Sequence, residues 1–478
     1  MDPAILATAV PARPSVSRGI PTRPAGETAL RALALAVGLA AAAACRSPQG
    51  ADPGAAGPFA LRVATFNVED LRTAELAGAG SRRARDAAAL IQRIRPDVIL
   101  IAEMSYDQEG APGWRAGEQP GQNGRRFAAL LARSQGEGLE PLRMRAFMAP
   151  TNTGTASGLD LDNDGAAVTL WPEPPPGEYP DADARTDAGR AYGGDCWGFG
   201  AFPGQYGMAL LVSAELELRS DQARTFRTLP WSAMPGALQP LDPATGEPWY
   251  SPEEWALFRL SSKSHWDVPV RLSNGATLHF LVSHPTPPAF DGPERRNRLR
   301  NHDEIRFWAD YIDGADYVVD DEGRRGGLAP GAAFVLLGDL NADTDEGSSH
   351  ANPVGRWLLG HARIEGAFTP LARETGGEAR FPGLDPSDTA DWGLRIDYVL
   401  PSLGLEVLGG AVERPAPGAP RVSDHCPVWL DLVVPAAGRA RTTTATESPT
   451  SASASPPSAT ARRIRTRSVR ERRSTPVV

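Results

Sequence analysis

Acidic, amide and imidazole side chains recur in this sequence at one kind of place, the end of an apolar run. Asn67 and Glu69 close FALRVATFNV, Glu103 stands near the end of DVILIAEM, and His284 follows ATLHFLVS. Asp339 and Asn341 follow AAFVLLG, Asp397 lies in RIDYVLPS, and Asp424 and His425 precede PVWLDLVV. Hard oxygen ligands of this kind suit a divalent cation such as Mg2+ or Mn2+, and histidine moves protons near neutral pH. Together they could neutralise developing negative charge, activate a water and protonate a leaving group. One carboxylate after a strand is ordinarily a turn former; the joint pattern points to a site.

Other features carry weaker chemistry. GLDLDNDG (158–165) spaces Asp160, Asp162 and Asp164 as in a calcium loop, but Trp171 stands where a closing Glu belongs. A structural Ca2+ there competes with a simple Asp-rich turn. SSKSHWDVPV (261–270) holds Lys263, the sole lysine among 49 basic residues, and a compact ammonium there fits contact with phosphate, against chance retention. Arg295, Arg296 and Asn297 fit a helix N-terminal polar cluster better than a phosphate clamp. His302 falls mid-helix, and His279 lies at an odd spacing from His284, hence on the other side of their strand. Trp197, Trp231, Trp249 and Trp266 suit packing under loops, and Cys426 a buried strand position.

These groups need strands to carry them. Apolar runs at 59–68, 97–104, 206–218, 266–272, 276–284, 332–340, 395–402 and 427–434, bounded by turn residues, predict strands. Ala87, Leu90, Ile91 and Ile94 share a helical face over 82–94, with Pro96 as the stop, and Ile305, Trp308, Ala309 and Ile312 predict a helix over 295–313. The stretches 105–205 and 219–265 are rich in Gly and Pro and are expected as loop insertions in a single body, 59–435.

The termini differ in kind. Arg23 and Arg31 precede an apolar run of 13 residues, Ala32–Ala44, ending at Cys45. That run is short for a membrane span and suits a signal segment over 1–45 with a lipobox-like end, which predicts export and a lipid anchor at the cell envelope, or plain secretion. A Pro/Gly/Ala linker covers 46–58, and a Ser/Thr/Pro/Arg-rich tail expected to be disordered covers 436–478. From Gly438 onward there are nine Arg and two Glu, a charge of +7, so the formal -9 of the chain leaves -16 elsewhere. An acidic body argues against salt-driven capture of long nucleic acid. Three cysteines make no disulfide framework.

With the motifs in order, the chain resembles the endonuclease/exonuclease/phosphatase superfamily: TFNVEDL, ILIAEM, FLVSHP, LLGDLNAD, RIDYVLPS and SDHCPVW span Thr65 to Trp429. The resemblance implies the deoxyribonuclease-I-like α+β fold, a four-layer αββα sandwich of two mostly antiparallel sheets packed face to face with outer helices. It implies metal-dependent hydrolysis of a phosphoric ester, foremost a diester, by a monomer acting on nucleic acid, nucleotide or phospholipid. Glu103 is then the central ligand of Mg2+ or Mn2+, supported by Asn67 and Glu69, with Asp424 as a further ligand. Glu69 stands where the family most often has Asp. Asp339 and Asn341 would orient water and hold a phosphate oxygen. His425 would be general base or transition-state stabiliser, its tautomer fixed by Asp397, with Asp339 as the other candidate base. His284, shared with the deoxyribonuclease and sphingomyelinase branches, would be the general acid. The rival expectations are an extracellular phosphomonoesterase or phospholipase on the same scaffold and a non-catalytic surface binding lipoprotein.

Overall fold

The computed structural model describes residues 57–171, 186–373, 383–415 and 418–437; the signal-like segment, most of the linker and the basic tail lie outside them. The first apolar run forms β1 (Phe59–Leu71), followed by α1 (Arg82–Ile94) and β2 (Val98–Met104). The Ser81 hydroxyl accepts the Ala84 N–H at 3.1 Å and caps α1. At its other end Arg95 turns left-handed, and Pro96 forbids continuation. Within 105–205, expected as loop, the chain builds α2 (Asn123–Leu131), β3 (Met144–Phe147) and α3 (Asp187–Gly194). β3 is four residues of mixed exposure, too short to show a period in sequence.

The order continues with β4 (Met208–Ser213), β5 (Glu217–Leu218), β6 (Arg224–Thr225), α4 (Pro252–Leu257), β7 (His265–Arg271) and β8 (Thr277–Ser283). It ends with α5 (Arg296–Ile312), β9 (Ala333–Asp339), β10 (Leu371–Ala372), β11 (Asp397–Pro401), β12 (Glu406–Val412) and β13 (Val428–Val434). One seven-stranded sheet runs β10-β12-β13-β1-β2-β4-β3; a six-stranded sheet runs β11-β9-β8-β7-β5, with β6 also on β7. Most pairings are antiparallel; β1–β2, β8–β9 and β10–β12 are parallel. β12 was hidden in the sequence by Gly409-Gly410. A Cβ on Gly410 would lie 2.3 Å from Leu430 Cδ2 and 2.5 Å from Trp429 O, so only glycine lets the strand lie against β13.

Three cores join four layers. Val63, Val98 and Leu210 of the first sheet meet Trp266, Val268 and Val335 of the second, all fully buried. Outside the first sheet, Phe66, Ile99 and Ile101 pack on Ala87 and Ile91 of α1 and Phe127 of α2. Outside the second, Leu281, Leu336 and Tyr398 pack on Ile305, Trp308 and Ile312 of α5. Burying each such side chain stabilises the fold by about 1.5–3 kcal/mol, and residues alternating along each strand serve two cores at once. This is the αββα sandwich implied by the motifs. Its consequence is an edge where the ends of β1, β2, β8 and β9 and the starts of β11 and β13 come together.

Candidate active site

Backbone geometry fits the strand ends to one centre. Asp339 closes β9 directly opposite Asp397, which opens β11. Gly338 makes this possible: a Cβ there would lie 2.0 Å from the Ser283 carbonyl oxygen of β8, so only glycine lets β9 lie tight beside the strand that ends at His284. Glu103 and Asn341 adopt left-handed backbones, φ +61 and +53, which costs a non-glycine residue on the order of 1 kcal/mol and is typical of functional turns.

The side chains meet around one oxygen. Asn67 Nδ2 donates to Asp339 Oδ2 at 2.9 Å and to Glu103 Oε1 at 3.0 Å. His284 Nε2 lies 3.4 Å from the same Asp339 oxygen and 3.9 Å from Glu103 Oε1. His425 Nε2 approaches that oxygen to 3.7 Å, while its Nδ1 is 2.8 Å from Asp397 Oδ2. Asp397 Oδ2 also accepts the Thr389 hydroxyl at 2.7 Å. Ser423 ties the last loop to the first strand: its hydroxyl donates to Asn67 O at 2.8 Å and accepts the His425 N–H at 3.0 Å. Glu103 Oε2 accepts the Asp70 N–H at 3.0 Å.

Electrostatics divides these groups. Burial pushes Glu103 up to about 7, against the Asn67 hydrogen bond and the charge of His425. Burial raises Asp339 as well, again opposed by His425. For His425, burial pulls downward but Asp397 and Asp339 outweigh it and hold it up to about 10, an imidazolium at neutral pH. His284 goes the other way: burial, then the charges of Lys263 and His425, hold it well below the usual histidine range, so it is neutral. Its Nδ1 is buried and finds no hydrogen-bond partner among the described residues.

Glu103, His284 and Asp339 each offer a ligand atom within 4.8 Å of the others. Two carboxylates raised by burial beside a neutral imidazole form a donor set that fits a divalent cation. A second such group, Asp339, Asp397 and His425, is already occupied by a protonated ring that is hydrogen-bonded to Asp397 and faces Asp339. Of the expected ligands, Asn67 reaches the centre by its N–H2 end, its oxygen accepting the Glu69 N–H at 2.9 Å. Glu69 does not converge; its carboxylate pairs with Arg421 at 3.0 Å, half-exposed. Asp424 belongs to neither group and takes a long hydrogen bond, 3.3 Å, from Ser423 Oγ. Asn341 donates its amide to Pro285 O at 3.1 Å, and its N–H caps Asp339 Oδ1 at 2.9 Å.

Sequence reasoning missed several contributors. Ser423 was in plain view inside SDHCPVW, whereas Thr389 sits in a loop with no signal. Trp392, half-exposed, sets its ring edge-on to His425 with centroids 5.2 Å apart. In the Asp-rich loop, the carboxylates of Asp160 and Asp162 come together with that of Asp195, while Asp164 reaches them through its backbone N–H, 3.1 and 3.3 Å from their oxygens. The Asp164 carboxylate instead caps the Ala166 N–H at 3.0 Å, and Asp195, more than thirty residues away, accepts the Leu161 and Val168 N–H groups.

Residues 64–425 match the sequence model of a family described as the Endonuclease/Exonuclease/phosphatase family. Nothing among the curated proteins matches the chain. Similar solved structures include an endonuclease/exonuclease/phosphatase from Beutenbergia cavernae DSM 12333, at 19% identity over 79% of this chain and 72% of that one, TM-score 0.42. An endonuclease/exonuclease/phosphatase family protein from Bacteroides thetaiotaomicron is 12% identical over 79% of this chain and 96% of that one, TM-score 0.40. The human Nocturnin catalytic domain with bound sulfate anion is 13% identical over 79% and 94%, TM-score 0.38.

Proposed function

The chain belongs to the endonuclease/exonuclease/phosphatase family, whose members hydrolyse phosphoester bonds with metal ions, and from that premise we propose that it hydrolyses a phosphodiester at the Asp339 centre. The observation that carries the reading is the buried chain Asp397–His425–Asp339, ending on the oxygen that Asn67 and His284 also face. Glu103, with Asp339 and His284 beside it, would hold Mg2+ or Mn2+. Such a cation, when bound, neutralises phosphoryl charge and makes water a better nucleophile.

The residues divide the remaining work. His425, charged, donates Nε2–H to a phosphoryl oxygen as negative charge builds there, and Asp397 fixes its tautomer. A ring held protonated is a poor general base, so the proton leaving the attacking water goes to the Asp339 carboxylate, which His425 faces. His284, neutral, acts as a hydrogen-bonding group, and the general-acid role expected for it is better filled by His425. Asn67 keeps Glu103 and Asp339 in one geometry through its two N–H bonds.

A second reading, a phosphomonoesterase or phospholipase on the same scaffold, is favoured by one observation, the -16 charge outside the tail, which disfavours long polyanions. The full chain assayed with Mg2+ on bis-p-nitrophenyl phosphate, p-nitrophenyl phosphate, plasmid DNA, RNA, sphingomyelin and inositol phosphates separates the two. Diester cleavage with little monoesterase activity is expected; monoester or lipid turnover alone selects the second reading, and silence on the whole panel rejects both. We also propose export with lipidation at Cys45. Incorporation of labelled palmitate that is lost in Cys45→Ala is the expected result, and equal labelling of the two refutes it.

A further inference from the structure

Lys263 stands in the run Ser261–Ser264, just before β7, and is buried to 5% exposure. An ammonium carries three N–H donors, and Nζ makes one hydrogen bond among the described residues, to Pro285 O at 3.2 Å. The carboxylate nearest in effect, Glu304 of α5, does not need it: Glu304 accepts Ser262 N–H at 2.6 Å, Ser262 Oγ at 2.9 Å and Thr286 N–H at 2.7 Å. Burial pulls the Lys263 ammonium below its usual range, and the carboxylates of Glu304, Glu103 and Asp339 oppose that pull. The Pro285 carbonyl is also the acceptor of Asn341 Nδ2 at 3.1 Å. One oxygen therefore joins the loop after β8, which carries His284, to the loop after β9, which carries Asn341.

We propose that Lys263 is a positioning residue of this site, its buried amino group clamping the Pro285 carbonyl that links the His284 and Asn341 loops and setting a positive charge at the His284 side of the cation-binding group. The inference deepens the phosphoesterase reading and rests on it for its kinetic consequence. A purely structural lysine would show itself only in stability. A positive charge close to cation ligands has a further signature: it repels the cation, so removing it tightens metal binding, while loosening the clamp slows turnover.

The test is Lys263→Met in the full chain, with folding checked by circular dichroism and Mn2+ affinity measured by calorimetry on metal-free protein. Hydrolysis of bis-p-nitrophenyl phosphate is followed alongside. Mn2+ should bind about five-fold more tightly, the order expected for loss of one nearby charge in a partly screened site. Turnover at saturating Mn2+ should fall about 10- to 100-fold, as expected for a misplaced positioning group. Unchanged Mn2+ affinity, or full turnover, overturns the proposal. If Lys263→Met does not fold, Lys263→Gln, which keeps an N–H for Pro285 but no charge, is judged by the same Mn2+ measurement. A wild type inert toward every ester would sink the proposed function, while the Mn2+ comparison would still decide the role of Lys263.

Discussion

His425 and His284 approach the same oxygen of Asp339, at 3.7 and 3.4 Å, and both are buried. His425 has a carboxylate on each side, Asp397 at Nδ1 and Asp339 at Nε2, and holds its proton to about pH 10. His284 has no Nδ1 partner among the described residues, and burial, with the positive charges of Lys263 and His425 added, keeps it neutral. Burial pulls both rings the same way. Both face carboxylates through Nε2; what separates them is the other side of the ring, where Asp397 is hydrogen-bonded to His425 Nδ1 and no carboxylate reaches His284 Nδ1 among the described residues. A residue type at a strand end therefore does not fix its role in the chemistry.

Breaking the charged side should cost most. His425→Ala is expected to lower turnover of bis-p-nitrophenyl phosphate by about 10³–10⁴-fold, the upper range for a proton-handling residue, with the circular dichroism spectrum unchanged. Turnover within a few-fold of wild type would remove His425 from the chemistry. Asp397→Asn keeps the shape but removes a charge. It should lower turnover by about 10²-fold or more and bring the His425 titration down toward the ordinary range, visible in imidazole ¹⁵N shifts. A His425 ring still protonated at high pH in that variant would contradict the part given to Asp397.

The same contrast has a stability consequence whose sign follows from proton counting. Glu103, held up to about 7, binds its proton more tightly folded than unfolded. Its contribution to metal-free stability is therefore greatest below the ordinary glutamate range and falls as pH rises from there through about 7. Asp339, also raised, adds to this fall. His425, raised to about 10, extends the decline from the ordinary histidine range upward. His284 and His265, held by burial below the usual histidine range, oppose this fall up to that range. Unfolding midpoints of chelator-treated protein should therefore drop between about pH 6.5 and about pH 8, and Mg2+ should reverse most of the drop by binding the ionised carboxylates. A midpoint that rises over that interval without metal would contradict the buried-carboxylate picture. The smallest effect is expected at the rim. Glu69→Gln breaks a half-exposed pair with Arg421, worth about 0–1 kcal/mol, and should change turnover and Mn2+ affinity by less than about three-fold. A large loss of Mn2+ affinity would restore Glu69 as a ligand.

Much of this was legible in the residue order. Apolar runs ending in polar groups placed eight strands, α1 and α5 to within a few residues, because long buried runs and clear caps leave strong periodic signals. The convergence of Asn67, Glu103, His284, Asp339, Asp397 and His425 was visible for the same reason: each sits at a fixed offset from a strand. The rest depended on three-dimensional proximity. β3 and β12 are short or glycine-broken, and β12 relies on the close approach at Gly410. Glu69 is drawn off by Arg421, more than three hundred residues away. Asp195 replaces Asp164 because a distant backbone passes beside the Asp-rich loop. The charge states of the two histidines depend on neighbours from separate loops, which no local pattern encodes.

The most direct test is a Mg2+ titration of the metal-free full chain while bis-p-nitrophenyl phosphate hydrolysis is followed, alongside Asp339→Ala. A saturable rise from essentially no activity is expected in the wild type, abolished by chelator and absent from the variant. Hydrolysis that persists in chelator, or that survives loss of the Asp339 carboxylate, would contradict metal-dependent chemistry at Asp339.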